Sequence, residues 1–508
     1  MDQRASGVLL HISSLPGPFS VGGFGPEARA FGQSLSEAGF RYWQVLPFTI
    51  PGVGNSPYLS RSAFAGNPLF IDLRELIQRG WLTEASLSEA KTDILKTVDY
   101  EYAERTHRKV LRIAFSSLSE KDKNDFRRFA RHRSWLSDYA AFSVALDLYE
   151  GITWREWPDL DLRSHNEEFI NEFILDHQDD YDYYCFEQFL FHEQWQALKR
   201  DLNDMGILII GDIPIYVSEN SADVWGHRSL FQIDEDFKLK AVAGVPPDYF
   251  SSEGQLWGNP LYDWGAHESE DFKWWTERLS WQFELYDLIR IDHFRAFSSY
   301  WSVPPDQKTA VMGHWVNGPG LKFFQRMRKK FDRFPIFAED LGEETQDLHQ
   351  FLEDVGFPGM RVVQFAFDAE LDNKHRPHNY PSDCVVYSGT HDNDTLAGWY
   401  DKLSDHSKKL LRDYSLPGNV AAEFQNPEKL AENVTEALLA ILWRCHANLL
   451  VVPVQDLLRM GSERRMNIPG TPSGNWKVRF SQTELASLDI EKLSLWNACF
   501  ARVGRSSL

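Results

Sequence analysis

Three short stretches carry carboxylates set beside groups that could tune them for nucleophilic or acid–base chemistry. In LIRIDHF, Arg290 and Asp292 stand two residues apart, and on an extended strand that spacing turns both side chains to one face. A guanidinium beside a carboxyl favours the ionised form, the state that a carboxylate nucleophile or electrostatic stabiliser needs. An isolated Arg-x-Asp also reads as a structural pair at a strand end. In FPIFAEDLG, Glu339 and Asp340 are neighbours, so on a continuing strand they face opposite ways, and register alone does not say which one faces inward. A glutamate near an ionised Asp292 has its pKa raised by like-charge repulsion and is then a candidate general acid at neutral pH. In YSGTHDNDT, His391 and Asp392 follow an apolar run, with Gly389 permitting a sharp turn. A His–Asp pair exchanges hydrogen bonds with sugar hydroxyls or ligates a metal; with only His11 and His293 as companions at run ends, the metal is the weaker reading.

Each stretch taken alone is a solvated or structural strand end. Together they gain meaning from the elements that must hold them. Eight short apolar runs, rich in β-branched and aromatic residues, each end in a polar group: GVLLHIS, RYWQVLPF, GILIIGD, DLIRID, FPIFAED, RVVQFAF, CVVYSGTHD and LLVVPVQD. Helical stretches separate them, which fits a (β/α)8 TIM barrel with inserted, largely helical subdomains. About 160 residues lie between the second and third runs, and the segment 75–190 reads as a largely helical insertion. A second excursion, 218–270, is rich in Gly, Pro, aromatic and acidic residues and reads as a long loop over the strand ends. No linker splits the chain, so 1–508 reads as one catalytic barrel. Carboxylates following three strands of one barrel meet at one mouth. Glycoside cleavage needs that arrangement, with one carboxyl attacking the anomeric carbon and another protonating the leaving oxygen.

The composition narrows the partner. A formal charge of −21 excludes the concentrated basic surface that nucleic acid needs and disfavours anionic membranes. No run approaches the apolar length of a membrane span. The first residues, MDQRASGVLLHISSLPGP, do not read as a secretory signal, and Cys185, Cys384, Cys445 and Cys499 are too scattered for a zinc site or a disulfide framework. A cytoplasmic enzyme with reduced thiols and a neutral substrate is the expectation. Aromatic residues form 14% of the chain, and their faces suit sugar rings, although most such rings serve the core.

The sequence resembles the amylomaltases, or 4-α-glucanotransferases, over nearly its whole length, through GNSPYLSRSAFAGNP, GDIPIYVSENSADVW, AGVPPDYFSSEGQLWGNPLYDW, LIRIDHFRAF, FAEDLG, VVYSGTHDNDT and VQDLLRMGSERRMNIPGTPSGNW. The resemblance implies that Asp292 is the nucleophile, Glu339 the acid/base and Asp392 the stabiliser of the distorted donor sugar. It implies a donor subsite completed by Arg290, His293, His391 and Asp212. It places Asp248, Tyr249, Phe250, Gln255 and Trp257 on the acceptor side, and Tyr58, Asn467 and Pro469 along the glucan groove. It implies maltodextrins and other α-1,4-glucans as partners, with no metal or organic cofactor. One stretch departs: where family members commonly read something like LPLGPTGYG, this chain reads LPFTIPGVG, so Thr49, Ile50, Pro51 and Val53 give that groove wall a different shape.

Overall fold

Each of the eight apolar runs contributes to a strand, and the strands run parallel in one sheet; RVVQFAF does so only through Arg361 and Val362, its next residues, Val363–Phe365, turning into a 3-10 helix. The computed structural model describes residues 3–92, 96–247, 251–342, 346–367, 372–416 and 427–503. With the twelve strands numbered in chain order, the barrel consists of β1 (Ala5–Leu9), β2 (Tyr42–Gln44), β3 (Leu208–Pro214), β6 (Leu288–Asp292), β9 (Ile336–Ala338), β10 (Gly359–Val362), β11 (Cys384–Tyr387) and β12 (Leu449–Pro453). The four others are β4 (Val242–Val245), β5 (Gln255–Pro260), β7 (Ser299–Val303) and β8 (His314–Asn317).

The barrel order is β10-β11-β12-β1-β2-β3-β6-β9. Its two edges meet where the Ala338 amide donates to the Pro358 carbonyl at 2.8 Å, bringing β9 against β10 and closing the ring. Strands such as β1 and β12 are buried at every residue, as expected where helices cover the outside and side chains fill the inside.

Helix Pro26–Glu37 shows how the outer layer is specified. Proline opens it, where no amide partner is needed, and Ala28, Phe31, Gly32 and Leu35 form one buried face at helical spacing. A Cβ at Gly32 would stand 2.1 Å from Leu202 Cδ2, so glycine is what lets this helix meet its neighbour, Gln178–Asp204.

The 75–190 stretch is helical where described, with Tyr100–Ser116, Glu120–Arg131, Ser134–Leu148 and Glu167–Asp176 as its main helices. Position 190 falls inside the 27-residue helix Gln178–Asp204, which leads directly towards β3. The far half of this helix packs on the barrel, with the Trp195 ring 4.6 Å from that of Phe48.

The 218–270 stretch is more ordered than the long loop expected. It contains the short helix Ala222–Gly226 and strands β4 and β5, which join β7 and β8 in an antiparallel sheet of order β5-β4-β7-β8. These strands are short, glycine-bearing and bulged between Val242 and Gly244, so alternation is weak in the sequence and the pairing is supplied by tertiary partners. All four cysteines are unpaired, and only Cys499 is exposed. Among the described residues no helix is long and apolar enough to cross a membrane.

Candidate active site

The mouth of the barrel is organised by one buried cation. Arg290 faces Asp212 in the β3–β6 register. Its Nη1 donates to both Asp212 oxygens, at 2.7 and 2.9 Å, while Nη2 pairs with Asp292 Oδ1 at 2.8 Å. The planar fork holds two carboxylates in fixed positions, which a lysine cannot do. Burial works against the guanidinium charge, but Asp212 and then Asp292 hold its pKa well above the usual value. Burial likewise raises the Asp212 carboxyl, with Arg290 opposing. Asp212 is fully enclosed, whereas the Asp292 side chain keeps 28% of its surface open to the groove.

β9 stops at Ala338, and the next two carboxyls part. Glu339 turns towards β6: Oε2 accepts the His293 amide at 2.8 Å and Oε1 accepts the Leu341 amide at 2.6 Å. Asp340 turns towards β10, where Oδ1 accepts the Met360 amide at 2.6 Å. Burial first, and the neighbouring Asp292 second, push the Glu339 carboxyl up to about 8. Like-charge repulsion is therefore the lesser cause, behind the loss of water. His293 adopts the left-handed region, φ 48°, and burial lowers its imidazole to about 4. Its Nε2 has no hydrogen-bond partner among the described residues.

The third element stands across the mouth. Tyr58 lies flat on His391, with ring centroids 5.0 Å apart at 17°, and its hydroxyl donates to Asp212 Oδ2 at 2.7 Å. His391 Nε2 lies 3.3 Å from Asp392 Oδ1, which also accepts from Asn467 Nδ2 at 2.6 Å. The Asn467 amide in turn donates to the His391 carbonyl at 3.1 Å. Pro469 is exposed at the tip of the same loop. On the opposite side, Trp257 on β5 sets its ring edge-to-face with His293 at 4.7 Å and donates through Nε1 to Gln255 Oε1 at 3.1 Å. Asp248, Tyr249 and Phe250 lie outside the described residues. Tyr58, Asp212, Arg290, Asp292, His293, Glu339, His391, Asp392 and Asn467 are thus joined through direct contacts, with Trp257 and Gln255 beside them.

The sequence model of 4-alpha-glucanotransferases matches residues 10–484. The chain belongs to the 4-alpha-glucanotransferase family. It is 45% identical to the 4-alpha-glucanotransferase of Thermus thermophilus over 95% of this chain and 96% of that one. It is 39% identical to the 4-alpha-glucanotransferase of Streptococcus pneumoniae over 100% and 99% of the two chains. The amylomaltase from Streptococcus agalactiae, solved in complex with acarbose, is similar with a TM-score of 0.93 at 36% identity, covering 99% of this chain and 100% of that one. The protein is accordingly a glycosyl-transferring enzyme with a (β/α)8 barrel.

Around this candidate site of the 4-alpha-glucanotransferase, three residues escaped the sequence reading. Trp476 sits in the left-handed region, φ 65°, and packs its ring 5.6 Å from both Tyr58 and His391. Arg465 Nη2 donates to the Asp392 carbonyl at 2.5 Å. Gln44, under the mouth, accepts the Tyr387 hydroxyl at 2.8 Å. A positive φ on tryptophan leaves no trace in a single sequence, and GNW offered only a glycine-flanked aromatic. The divergent LPFTIPGVG segment folds back on itself through the Thr49 hydroxyl, which donates to the Pro57 carbonyl at 2.7 Å beside Tyr58.

Proposed function

We propose that this enzyme moves a segment of an α-1,4-glucan to the 4-hydroxyl of another glucan, or of glucose, by a retaining double displacement. Asp292 attacks the anomeric carbon of the donor while protonated Glu339 gives its proton to the departing glycosidic oxygen. The C1–O bond breaks as the ester to Asp292 forms, and the shortened glucan leaves. Glu339, now a carboxylate, takes the proton of the acceptor 4-hydroxyl as that oxygen displaces Asp292 and restores the α-linkage. Asp392, with His391 and Asn467, grips the distorted donor sugar. No step draws on a metal or an organic cofactor.

The observation that carries this reading is the contrast between two carboxyls at one mouth. Asp292 is paired with a guanidinium and open to the groove, whereas Glu339 is buried and titrates near 8, so one is suited to attack and the other to proton donation. The acarbose held by the Streptococcus agalactiae amylomaltase supports a maltodextrin-like ligand in this groove. Trp257 and Gln255 favour transfer, because an aromatic face beside His293 offers a stacking platform for an acceptor glucose and displaces water. The 218–270 insertion would then cover the acceptor side.

Incubation with maltotriose tests the assignment. A ladder of longer and shorter maltodextrins with constant total reducing ends supports transfer. A steady rise in reducing ends, one for each bond broken, overturns it in favour of an amylase-type hydrolase.

A further inference from the structure

Asp456 lies just beyond β12, in the short helix Val454–Leu457, and is 3% exposed. It touches none of the groups assigned above to the sugar. Both of its oxygens are instead spent on a single loop. The Ser388 hydroxyl donates to Oδ2 at 2.5 Å, and the Leu396 amide donates to Oδ1 at 2.7 Å. Ser388 directly follows β11, and Leu396 begins the helix Leu396–Lys402, so one carboxylate ties the start of the 388–396 loop to its end. His391 and Asp392 stand between the two ties.

Beside it lies a small cavity of about 30 Å3, lined by Leu9, Leu46, His11, Thr390, Asn393 and Asp456 among others. The loop is largely buried, and its polar groups must find partners there, so its hydrogen bonds help decide where it stands. Inside the loop, Asn393 Oδ1 accepts from both the amide and the hydroxyl of Thr390 at 2.9 Å, which shapes the turn but anchors it to nothing else. From above, Arg465 and Asn467 hold Asp392. Asp394 is held as well, its carbonyl accepting from Gln364 Nε2 at 2.8 Å and its carboxylate from Ser462 Oγ at 2.8 Å and from Lys402, but Asp456 is the group that takes hold of both ends of the loop.

We propose that Asp456 is a positioning residue for glucan transfer: by tying Ser388 to Leu396 it sets where His391 and Asp392 stand against the donor sugar. The inference rests on the reading of Asp392 as a donor-subsite group. Asp456 acts through hydrogen bonds rather than charge. An asparagine in its place keeps both ties, since its amide oxygen accepts from Leu396 and its amide nitrogen donates to Ser388 Oγ. Alanine keeps neither.

The test measures turnover of maltotriose by Asp456→Ala, Asp456→Asn and Ser388→Ala, each assayed well below its melting temperature. Displacement of a catalytic group by a fraction of an ångström to an ångström costs about 10- to 100-fold in rate. That loss is expected for Asp456→Ala, with Asp456→Asn within about threefold of wild type by the same reasoning and Ser388→Ala between them. With maltosyl fluoride as donor, Asp456→Ala is also made in an Asp392→Asn background, where it should add less than about a twofold loss because the group it positions is already impaired. A merely structural role lowers both backgrounds equally, and that result overturns the proposal. So does an Asp456→Asn enzyme as slow as Asp456→Ala, or a folded Asp456→Ala enzyme at wild-type rate. Should Asp456→Ala fail to fold, an unimpaired Ser388→Ala enzyme overturns it as well. Asp392→Ala is assayed alongside: wild-type turnover there sinks the donor-subsite reading itself, whereas an inactive Asp392→Ala beside an active Asp456→Ala sinks only the present inference.

Discussion

Glu339 and Asp340 are adjacent in the chain yet serve the two strands that flank β9, Glu339 accepting the His293 amide next to β6 and Asp340 accepting the Met360 amide of β10. The consequence for Glu339 is a carboxyl stripped of water and facing Asp292, titrating at about 8 against 4.5 for the free group. The folded state therefore binds a proton that the unfolded chain releases between those values, and this contribution to stability is full below 4.5 and lost as pH rises towards 8. Transfer from maltotriose should lose activity on the alkaline side with an apparent pKa near 8. Glu339→Gln should lower turnover about 10²- to 10⁴-fold on maltotriose, whereas the fluoride-releasing first step with maltosyl fluoride, whose leaving group needs no proton, should be slowed far less. An unchanged alkaline limb in Glu339→Gln with the fluoride donor would contradict the acid/base role.

Asp340 has a mechanical consequence. The β9–β10 seam lacks a strand ladder and rests on the Ala338–Pro358 bond, the Met360 amide on Asp340 at 2.6 Å, and Arg361 on Asp340 at 3.3 Å. Asp340→Ala leaves the buried Met360 amide without its acceptor, a cost of about 1–3 kcal/mol. A lower thermal midpoint and faster amide exchange along β10 should follow, and equal stability would show that the seam is held elsewhere.

In the proposed double displacement Asp292 is the attacking group. Asp292→Asn keeps the size of the side chain but removes the nucleophile, and turnover should fall about 10⁴-fold or more while the melting temperature changes little. Trapping of a glucosyl ester on Asp292 with a slow fluoro-sugar donor checks the same step by mass spectrometry. Turnover near wild type in the asparagine variant refutes the assignment.

On the proposed reading, Trp257 is where transfer and hydrolysis part. Its ring meets His293 edge-on, leaving a half-buried face beside the mouth. An aromatic stacking contact contributes about 0.5–1.5 kcal/mol, so Trp257→Ala should raise the KM for acceptor glucose about 2- to 10-fold. The share of intermediates captured by water should rise with it, measured as reducing ends formed per donor consumed. A variant with an unchanged ratio would remove Trp257 from the acceptor side.

The strands were legible because parallel barrel strands, buried on both faces, must be continuous apolar runs, and runs such as LLVVP in β12 have no other stable fate. Arg290 and Asp292 were legible for the same reason, since period-two geometry on β6 fixes their common face. The choice between Glu339 and Asp340 was not, because β9 ends before either and the turn that parts them depends on His293 and Met360, both distant in sequence. Residue spacing likewise could not reveal the β5-β4-β7-β8 sheet, where each short strand is defined by its partner. Asp456 ended a recognised run, yet its role lies in which loop it ties down, and that is a fact of the tertiary structure.

Arg290 and Asp212 show why the site cannot be dismantled one charge at a time. Both are almost fully buried, and the guanidinium supplies the only salt bridge to Asp212 among the described residues. Removing one partner of a buried pair leaves the other charge uncompensated, at a cost of about 3–5 kcal/mol, while removing both is far milder. Arg290→Met should therefore lower the melting temperature sharply, and adding Asp212→Asn should recover much of that loss. Activity should not return in the double variant, because Asp292 has lost the Nη2 contact at 2.8 Å that orients it. Arg290→Lys should fall between, since one ammonium cannot reach Asp212 and Asp292 with the fixed geometry of a guanidinium fork. Thermal melts of the four proteins with parallel maltotriose assays check the scheme, and a double variant no more stable than Arg290→Met would show that the pair is not what holds β3 and β6 together at the mouth.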